Sequence, residues 1–407
     1  MKFENHRLEA GATLGAPVRQ SALGQRHFAF ARMRDSWKLA PVAVTLALSM
    51  LCENPRRRTG LTTLFHGFIA EARRQYPEVN WVVFAGPEQP WTLVDAGVTV
   101  VRTFPANDRR TARLWADHFR VAAEAKHRGA AALLTVGFAP VRTAGLPVVM
   151  QVFALPDAEP GGGWGACYRR WAVARGLRTA RLVIANSNWT AGHLRLRGRL
   201  LVSPEGLRHD VFRPEGAAGG DGLPAKYLLW VANFYPYKRA ELALAAYARL
   251  APELRKEFPL VLVGGDWNGG RTKAEVCAAE LGVAADARFL GWIDDAALPA
   301  LYRGARAHVL PTVRETFGRS VTEAMACGCP CVLQELPVLR EVASGAALFV
   351  DFSDATAAGD ALRRICTDDE FAAELRAAGL KRAAEFSYAR QARERVTAIL
   401  EMLKGPR

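Results

Sequence analysis

The sequence has few of the features that mark membrane-spanning, disulfide-bonded or metal-binding chains. Its longest apolar run near the start covers residues 42–52, which is too short for a bilayer crossing of about 20 residues. Basic residues precede that run as in a signal peptide, but no small-residue cleavage site follows, so we expect a buried first strand and no export. Seven cysteines, an odd number without a Cys-x-x-Cys pair, argue against a disulfide framework and a zinc site and predict a cytoplasmic protein.

Positive charge is concentrated in the first half of the 407 residues, whose formal net charge is +14. Residues 1–200 contain 28 Lys and Arg against 13 Asp and Glu, whereas residues 201–407 contain 26 against 27. We expect the basic half either to face an anionic membrane or a lipid-phosphate acceptor, or simply to be well solvated. A nucleic-acid partner is not expected, because no binding motif and no interleaving of basic with aromatic residues supports one.

From residue 42 onward, short apolar runs alternate with helical patterns, which predicts α/β domains with mostly parallel sheets. Predicted strands lie at 42–51, 81–85, 98–101, 131–136, 148–153, 182–185, 227–232, 260–263, 288–290, 308–310 and 331–333. Predicted helices lie at 61–76, 111–128, 168–179, 240–250, 273–281, 297–304 and 388–403.

A stretch rich in Gly and Pro near residues 206–226 interrupts this alternation and predicts a linker between two doubly wound, Rossmann-like domains. The default ligand site of two such domains is the cleft between the carboxyl ends of their strands. The predicted organisation is an N-terminal extension at 1–39, a first domain at 40–206, the linker at 207–226, a second domain at 227–385, and a C-terminal helix at 386–407 packing back on the first domain.

The densest candidate site follows the apolar strand that ends at Leu310. A loop containing Gly318 leads into a helix near Ser320, which places free backbone N–H groups beside the cleft and predicts an anion site. Two carboxylates, Glu315 and Glu323, accompany it and suit hydrogen bonds to the hydroxyl groups of a ribose or a hexose. An alternative remains open, because Ser320-x-x-Glu323 has the spacing of a capping box in which Glu323 only bonds its own helix start.

The pair Glu315 and Glu323, followed by Ala-Met-Ala-Cys-Gly-Cys-Pro at 324–330, resembles the signature of the group 1 (family 4) glycosyltransferases. The resemblance covers about residues 180–390. It implies the GT-B fold, with two Rossmann-like domains facing across a cleft. It also implies transfer of a sugar from a nucleotide-sugar donor to a hydroxyl acceptor, a glycan or a lipid-linked glycan, with retained anomeric configuration and no metal ion or other cofactor.

The same resemblance implies a role for several residues of the second domain. Glu315 would contact the donor sugar, and Glu323 would bind the ribose. Phe317 and Gly318 would offer backbone N–H groups to the sugar or the diphosphate. Lys238, after the strand at 227–232, would neutralise the diphosphate as negative charge develops on the leaving group.

One departure from the family concerns Asn233, where an arginine is usual. The missing positive charge would have to come from Arg239 or Arg319, or catalysis would be weaker. Gly264 and Gly265 follow the strand at 260–263 and fit either a close backbone approach to the nucleotide or a plain turn.

On the acceptor side, Gly60 fits the family's glycine-containing loop, and the arginines at 56–58 either add charge there or face solvent. A second departure lies at Gln151 and Phe153, where many family members place a histidine in the cleft. Both departures leave open an alternative function, a non-catalytic protein of the same fold that binds a sugar or a phosphate. Residues 186–190 and 204–207 match domain-boundary motifs and predict structure and cleft lining.

Overall fold

The computed structural model of the chain describes residues 43–53, 59–89, 91–92, 95–153, 163–220 and 222–405. All of them belong to one compact unit, Val42–Arg407. The unit contains two parallel sheets with helices between their strands, so the predicted α/β class with two doubly wound sheets is confirmed. The predicted extension at 1–39 and the arginines at 56–58 lie outside the described residues.

The first sheet has seven strands, and the near-continuous apolar sequence of most of them matches burial on both faces. The strands are β1 (Val44–Ser49), β2 (Val79–Phe84), β3 (Val98–Val101), β4 (Ala130–Val136), β5 (Val148–Val152), β6 (Leu182–Ala185) and β7 (Arg199–Val202). Their spatial order is β3-β2-β1-β4-β5-β6-β7. The helices of this half are α1 (Gly60–Gln75), α2 (Arg110–Phe119), α3 (Val121–His127), α4 (Trp164–Thr179) and α5 (Asn188–Gly192).

The second sheet repeats this arrangement with six strands. They are β8 (Tyr227–Val231), β9 (Leu260–Val263), β10 (Ala287–Gly291), β11 (Ala305–Leu310), β12 (Cys331–Gln334) and β13 (Leu348–Val350), in the order β10-β9-β8-β11-β12-β13. A single 3₁₀ turn, Pro236–Lys238, follows β8. The helices are α6 (Ala240–Tyr247), α7 (Pro252–Glu257), α8 (Gly270–Glu280), α9 (Leu298–Gly304), α10 (Arg319–Ala326), α11 (Pro337–Ala343), α12 (Ala355–Thr367), α13 (Asp369–Ala383) and α14 (Tyr388–Lys404).

The C-terminal helix α14 packs against α1 of the first domain. Its buried stripe runs through Tyr388, Ala392, Val396 and Ile399, with the spacing of one helix face. The ring of Tyr388 lies so close to Gly67 that a Cβ atom there would be 2.3 Å from it, so α1 and α14 meet at a position that excludes any larger residue. Within the part of the chain described here, no helix is long and apolar enough to cross a bilayer.

Several elements of the structure differ from the predictions or were not predicted, among the latter the helices α5, α7, α11, α12 and α13. The helix predicted at 111–128 is two elements in the structure, because the backbone is distorted at Arg120 (φ −119°), which ends α2 and precedes α3. The edge strands β7 and β13 were not predicted, since their residues are only partly buried and give weak apolar runs. All seven cysteines are free.

Candidate active site

A cavity of about 350 Å³ lies beyond the carboxyl ends of β8 and β11. These neighbouring strands are where the strand order of the second sheet reverses, the position at which open α/β sheets bind ligands. Gly60, the first residue of α1, closes the cavity from the side of the first domain. The predicted site residues that line it are Gly60, Asn233, Lys238, Gly264, Glu315, Arg319 and Glu323.

Lys238 and Glu315 form an ion pair in the wall of this cavity, and both side chains are largely buried. The loops that carry them are fixed to each other, because the carbonyl of Tyr237 accepts hydrogen bonds from Val313 N (2.9 Å) and Thr312 Oγ1 (3.1 Å). An ammonium group has three protons, so the ion pair leaves Lys238 able to donate to a further anion.

The start of α10 supplies backbone donors beside this ion pair. Gly318 is the N-cap with φ +93°, a conformation that favours glycine, and a Cβ atom there would lie 2.8 Å from Leu339. The first N–H groups of a helix lack partners within it, so this terminus can hold an anion. The capping-box alternative is wrong: the Ser320 hydroxyl lies 3.2 Å from His308 Nε2, and the Glu323 carboxylate bonds Arg319 rather than the helix start.

Glu323 and Arg319 form a second ion pair, which is buried to a similar extent. The Arg319 Nε atom donates to Glu323 Oε1 at 2.8 Å, and its Nη1 atom lies 3.8 Å from a carboxylate oxygen of Glu205. Burial raises the pKa of Glu323 to about 7, although Arg319 acts in the opposite direction. Burial disfavours the charge on Arg319, but Tyr388, Glu323 and Glu205 outweigh it and raise the pKa of that guanidinium. Glu323 is therefore a carboxylate that changes charge near neutral pH.

Four predicted donor residues lie outside the cavity lining, namely Arg239, Gly265, Phe317 and Gly318. Arg239 forms an exposed ion pair with Glu241 (2.8 Å). Gly265 donates its N–H to the Asn233 side-chain oxygen at 3.0 Å. Gly264, which does line the cavity, is packed so tightly that a Cβ atom would lie 1.6 Å from the Ala232 carbonyl, so its backbone position alone requires glycine.

Phe317, Gln151 and Phe153 also lie outside the cavity lining. Phe317 is buried edge-on against Phe386, with ring centroids 5.5 Å apart. Gln151 is buried and accepts a hydrogen bond from Arg395 at 2.7 Å. The carbonyl of Phe153 accepts from Thr316 Oγ1 at 3.1 Å, so this strand end touches the loop that carries Glu315.

Several functional positions were missed by sequence reasoning. Tyr235, Trp292 and Asp295 line the cavity, and each follows a predicted strand of the second sheet, which is the signal that could have found them. Asp295 accepts a hydrogen bond from Thr63 Oγ1 of α1 at 2.8 Å and thus links the two domains. The residues Trp292, Asp295 and Glu323 also line a second cavity of about 600 Å³, which therefore adjoins the first.

The segment after β6 makes hydrogen bonds to the loop that carries Glu315 and to helix α11. Ser187 Oγ donates to the Thr316 carbonyl at 2.8 Å. Glu341 of α11 accepts from the backbone N–H groups of Asn188 (2.6 Å) and Trp189 (2.8 Å) at the start of α5. The boundary motif at 186–190 thus connects the first domain to the loop at the cavity.

Residues 220–382 match the family model described as "Glycosyl transferases group 1". "O-antigen chain mannosyltransferase B" from Escherichia coli is 34% identical over 163 residues, 40% of this chain and 42% of that protein, so the match spans less than half of the relative.

Two solved structures resemble nearly the whole chain. Sucrose-phosphate synthase from Thermosynechococcus elongatus has a TM-score of 0.72 at 20% identity and covers 88% of this chain and 99% of its own. Anabaena Alr3699/HepE in complex with UDP and glucose has a TM-score of 0.65 at 15% identity and covers 88% of this chain and 99% of its own. At these identities the likeness shows the fold, and it extends over both sheets.

Proposed function

Because the chain carries a group 1 glycosyltransferase domain at residues 220–382 within a GT-B fold, we propose that it transfers a sugar from a nucleotide-sugar donor to a hydroxyl acceptor, with retained anomeric configuration. The observation that carries this proposal is that Lys238, Glu315 and Glu323 meet in one cavity at the switch point of the second sheet. The proposal involves no metal ion and no cofactor beyond the nucleotide sugar.

In this proposal the donor diphosphate binds between Lys238 and the start of α10. The ammonium group and the backbone donors of Phe317 and Gly318 would balance the charge that develops on the leaving phosphate oxygen. Preorganised donors of this kind each contribute about 3 kcal/mol to a transition state. Glu323 would accept hydrogen bonds from the ribose hydroxyls, and Glu315 would orient the sugar and hold Lys238 in place.

Arg319 is the residue that we propose to compensate for Asn233. Arg239 pairs with Glu241 outside the cavity lining, whereas Arg319 lines the cavity. Its buried Nη1 atom makes no hydrogen bond among the described residues and lies 3.8 Å from a Glu205 carboxylate oxygen. In this proposal the side chain turns towards the cavity, where the Nη1 atom donates to a phosphate oxygen. A partly screened guanidinium at this position would supply the charge that the family usually places at residue 233.

The proposed reaction exchanges one bond at the anomeric carbon of the sugar. Its bond to the phosphate oxygen breaks, its bond to the acceptor oxygen forms on the same face, and the acceptor proton passes to the departing phosphate oxygen. The protein contributes orientation and the exclusion of water from the cleft. Gly60 closes the acceptor side of the cavity, where its lack of a side chain leaves room for the approaching hydroxyl.

The donor base and the acceptor are narrower parts of the same proposal. HepE, a structural neighbour, was solved with UDP and glucose, so a UDP-sugar is the first donor to test. The acceptor would be a glycan or a lipid-linked glycan, reached in the cytoplasm, with the basic half of the chain in contact with anionic membrane.

A thermal-shift series with UDP-, GDP-, ADP- and dTDP-sugars tests the donor site. A true donor at about 100 times its Kd should stabilise the folded state by about 2.7 kcal/mol, because it binds only the folded chain. Stabilisation by none of the four would contradict the donor assignment.

Turnover of the stabilising donor, measured in the wild type, Glu315→Ala, Lys238→Ala and the exposed control Lys226→Ala, then tests catalysis. We expect turnover in the wild type and the control only. Equal, negligible turnover in all four proteins, with donor binding retained, would instead favour the non-catalytic binding protein.

A further inference from the structure

The outer surface of the first domain exposes four large aromatic side chains on two helices. We call Trp115 and Phe119 of α2, with Trp164 and Trp171 of α4, the aromatic face. Their exposed fractions are 56%, 38%, 93% and 46%, respectively. Tryptophan is normally buried to a large extent, and a contiguous exposed aromatic patch marks an interaction surface.

Ring contacts through His118 join three residues of the aromatic face, Trp115, Phe119 and Trp171. The rings of Trp115 and Phe119 are 6.3 Å apart, and His118 between them lies 5.8 Å from Trp171. His118 Nε2 is also 2.6 Å from the Tyr168 hydroxyl, which fixes α2 to α4. Trp164 and Trp171 are seven residues apart, two helical turns, and therefore lie on the same side of α4.

Both helices cover the same side of the first sheet. Ala116 of α2 packs in one core cluster with Leu133 of β4, and Leu177 of α4 packs with Val148 of β5. Leu133 and Val148 are directly paired neighbours, so they point to one face of the sheet. The opposite face is covered by α1 and α14. The aromatic face is thus the outer side of a helix layer whose inner side is already occupied by core.

Positive charge predominates on the two helices that carry the aromatic face. Helix α4 contains four arginines and no acidic residue. The guanidinium of Arg120 lies 6.0 Å from the centre of the Trp115 ring. No Asp or Glu occurs between residues 163 and 204, a stretch that contains Arg169, Arg170, Arg175, Arg178, Arg181, Arg195, Arg197 and Arg199.

We propose that the aromatic face docks the protein on the surface of a bilayer that contains anionic lipid. Tryptophan is enriched where protein meets the headgroup region, because its ring is apolar while its N–H needs a polar partner. Arginines beside it are attracted to the negative surface potential of such a bilayer, so aromatic and charged groups favour the same occupant.

The position of the aromatic face also bears on access to the cavity. Phe138, which lies 5.4 Å from His118, follows the carboxyl end of β4, and α4 follows that of β5. The loop leading to Gly60 follows β1 at the same edge of the sheet. A docked bilayer would therefore lie near the acceptor side of the cavity. Docking assigns to the aromatic face the membrane contact that the proposed function includes and rests on it to that extent. Only the consequence for acceptor access rests on the proposed glycosyl transfer.

Vesicle flotation with the full-length protein tests the inference without a donor or an acceptor. We expect the wild type to float with phosphatidylcholine vesicles only when they contain phosphatidylglycerol, and to be released by salt. Trp115→Ser with Trp171→Ser should weaken association at least tenfold. Arg170→Glu with Arg178→Glu, which changes only exposed side chains, should weaken it by about as much, since each arginine near the surface contributes roughly fivefold.

The matched control is Trp267→Ser, which removes an equally exposed tryptophan (47%) from the second domain and should float like the wild type. Wild type that ignores anionic vesicles, or a control that loses as much as the aromatic-face variants, would overturn the inference. Sedimentation velocity tests whether a second copy of the chain binds the aromatic face instead. Self-association that the variants abolish, in a protein that does not bind lipid, would assign the face to that second copy and overturn the inference. Calorimetric titration of the donor into the same variants should be unchanged, so failure of docking and failure of donor binding are separate results.

Discussion

The two domains share one topology and differ in where their specific chemistry lies. Counted within each half, both sheets run from the third strand through the first to the fourth and onward. The family model matches residues 220–382, and every residue that lines the 350 Å³ cavity except Gly60 belongs to the second domain. The first domain instead carries the excess positive charge and the exposed aromatic face.

This difference follows from what each half is proposed to hold. A diphosphate and a ribose present fixed donors and acceptors, so a few side chains must stand at fixed distances, as Lys238 and Glu315 do. A membrane surface has no fixed geometry, so binding to it depends on the number and the charge of the exposed groups. Single substitutions should consequently have large effects in the second domain and small, cumulative ones in the first.

The strongest test of this contrast is Lys238→Ala. We expect kcat for the donor to fall by about 10²- to 10³-fold, because the ammonium group would stabilise charge that appears only in the transition state. Lys226→Ala is the matched control, since Lys226 is exposed and pairs with Glu257 at the surface. Initial rates of donor turnover measure both, and an equal loss in the control would contradict the assignment.

Glu315→Gln should have the next largest effect, a loss of about 10- to 100-fold in kcat/KM. Glutamine keeps the shape of the side chain but removes the charge that holds Lys238. The double variant with Lys238→Ala should be much less impaired than the product of the two single losses, because the residues act as a unit. Independent, multiplicative losses would show that the ion pair does not contribute to function. The control is Glu335→Gln, since Glu335 forms an exposed ion pair with Arg340.

These residues could be identified from sequence because the local pattern and the topology agree. The strands β3, β6 and β9 have the bounds that their apolar runs predict. Once β8 and β11 are neighbours, the loops after them must meet, and Lys238 therefore comes to lie against Glu315.

Other contacts could not be predicted, because they depend on segments far apart in the chain. Arg395 of α14 is buried and donates to Gln151 on β5, at a position where only a cleft histidine was considered. The local sequences around Arg395 and Gln151 do not predict this contact. The one indication is that Arg395 lies within the apolar stripe of α14. The exposure of Trp115 and Trp171 is likewise invisible in composition, since it depends on which side of α2 and α4 packs on the sheet.

A pH dependence should distinguish Glu323 from the permanently charged groups of the site. Burial raises the pKa of Glu323 to about 7, so it is a carboxylate above that pH and accepts ribose hydroxyls best there. Between about pH 8 and about pH 6 the affinity for an intact nucleotide sugar should fall by up to tenfold. Calorimetric titration measures this, because the diphosphate of a nucleotide sugar does not titrate in that range.

The matched variant for this prediction is Glu323→Gln. Its affinity should be low and nearly independent of pH over the same interval, as no group with a pKa near 7 would then face the ribose. A pH profile of the variant parallel to that of the wild type would assign the dependence to another residue.

The smallest effect is expected for a substitution at a contact between the two domains that lies away from the donor site. Glu341 of α11 accepts the backbone N–H groups of Asn188 and Trp189, and it lies outside the lining of both cavities. In Glu341→Ala only water would accept hydrogen bonds from the N–H groups at the start of α5. We expect the free energy of unfolding to fall by about 1 kcal/mol, which corresponds to a fall in Tm of about 2–4 °C for domains of this size. Asp360→Ala, which breaks an exposed pair with Arg363 inside the second half, is the control for loss of a surface carboxylate. Scanning calorimetry should find a lower Tm for Glu341→Ala than for the control, while kcat changes less than about fivefold because no charge at the donor is lost. A loss of turnover as large as that expected for Lys238→Ala would mean that the first domain shapes the donor site directly, and the contrast between the two halves would fail.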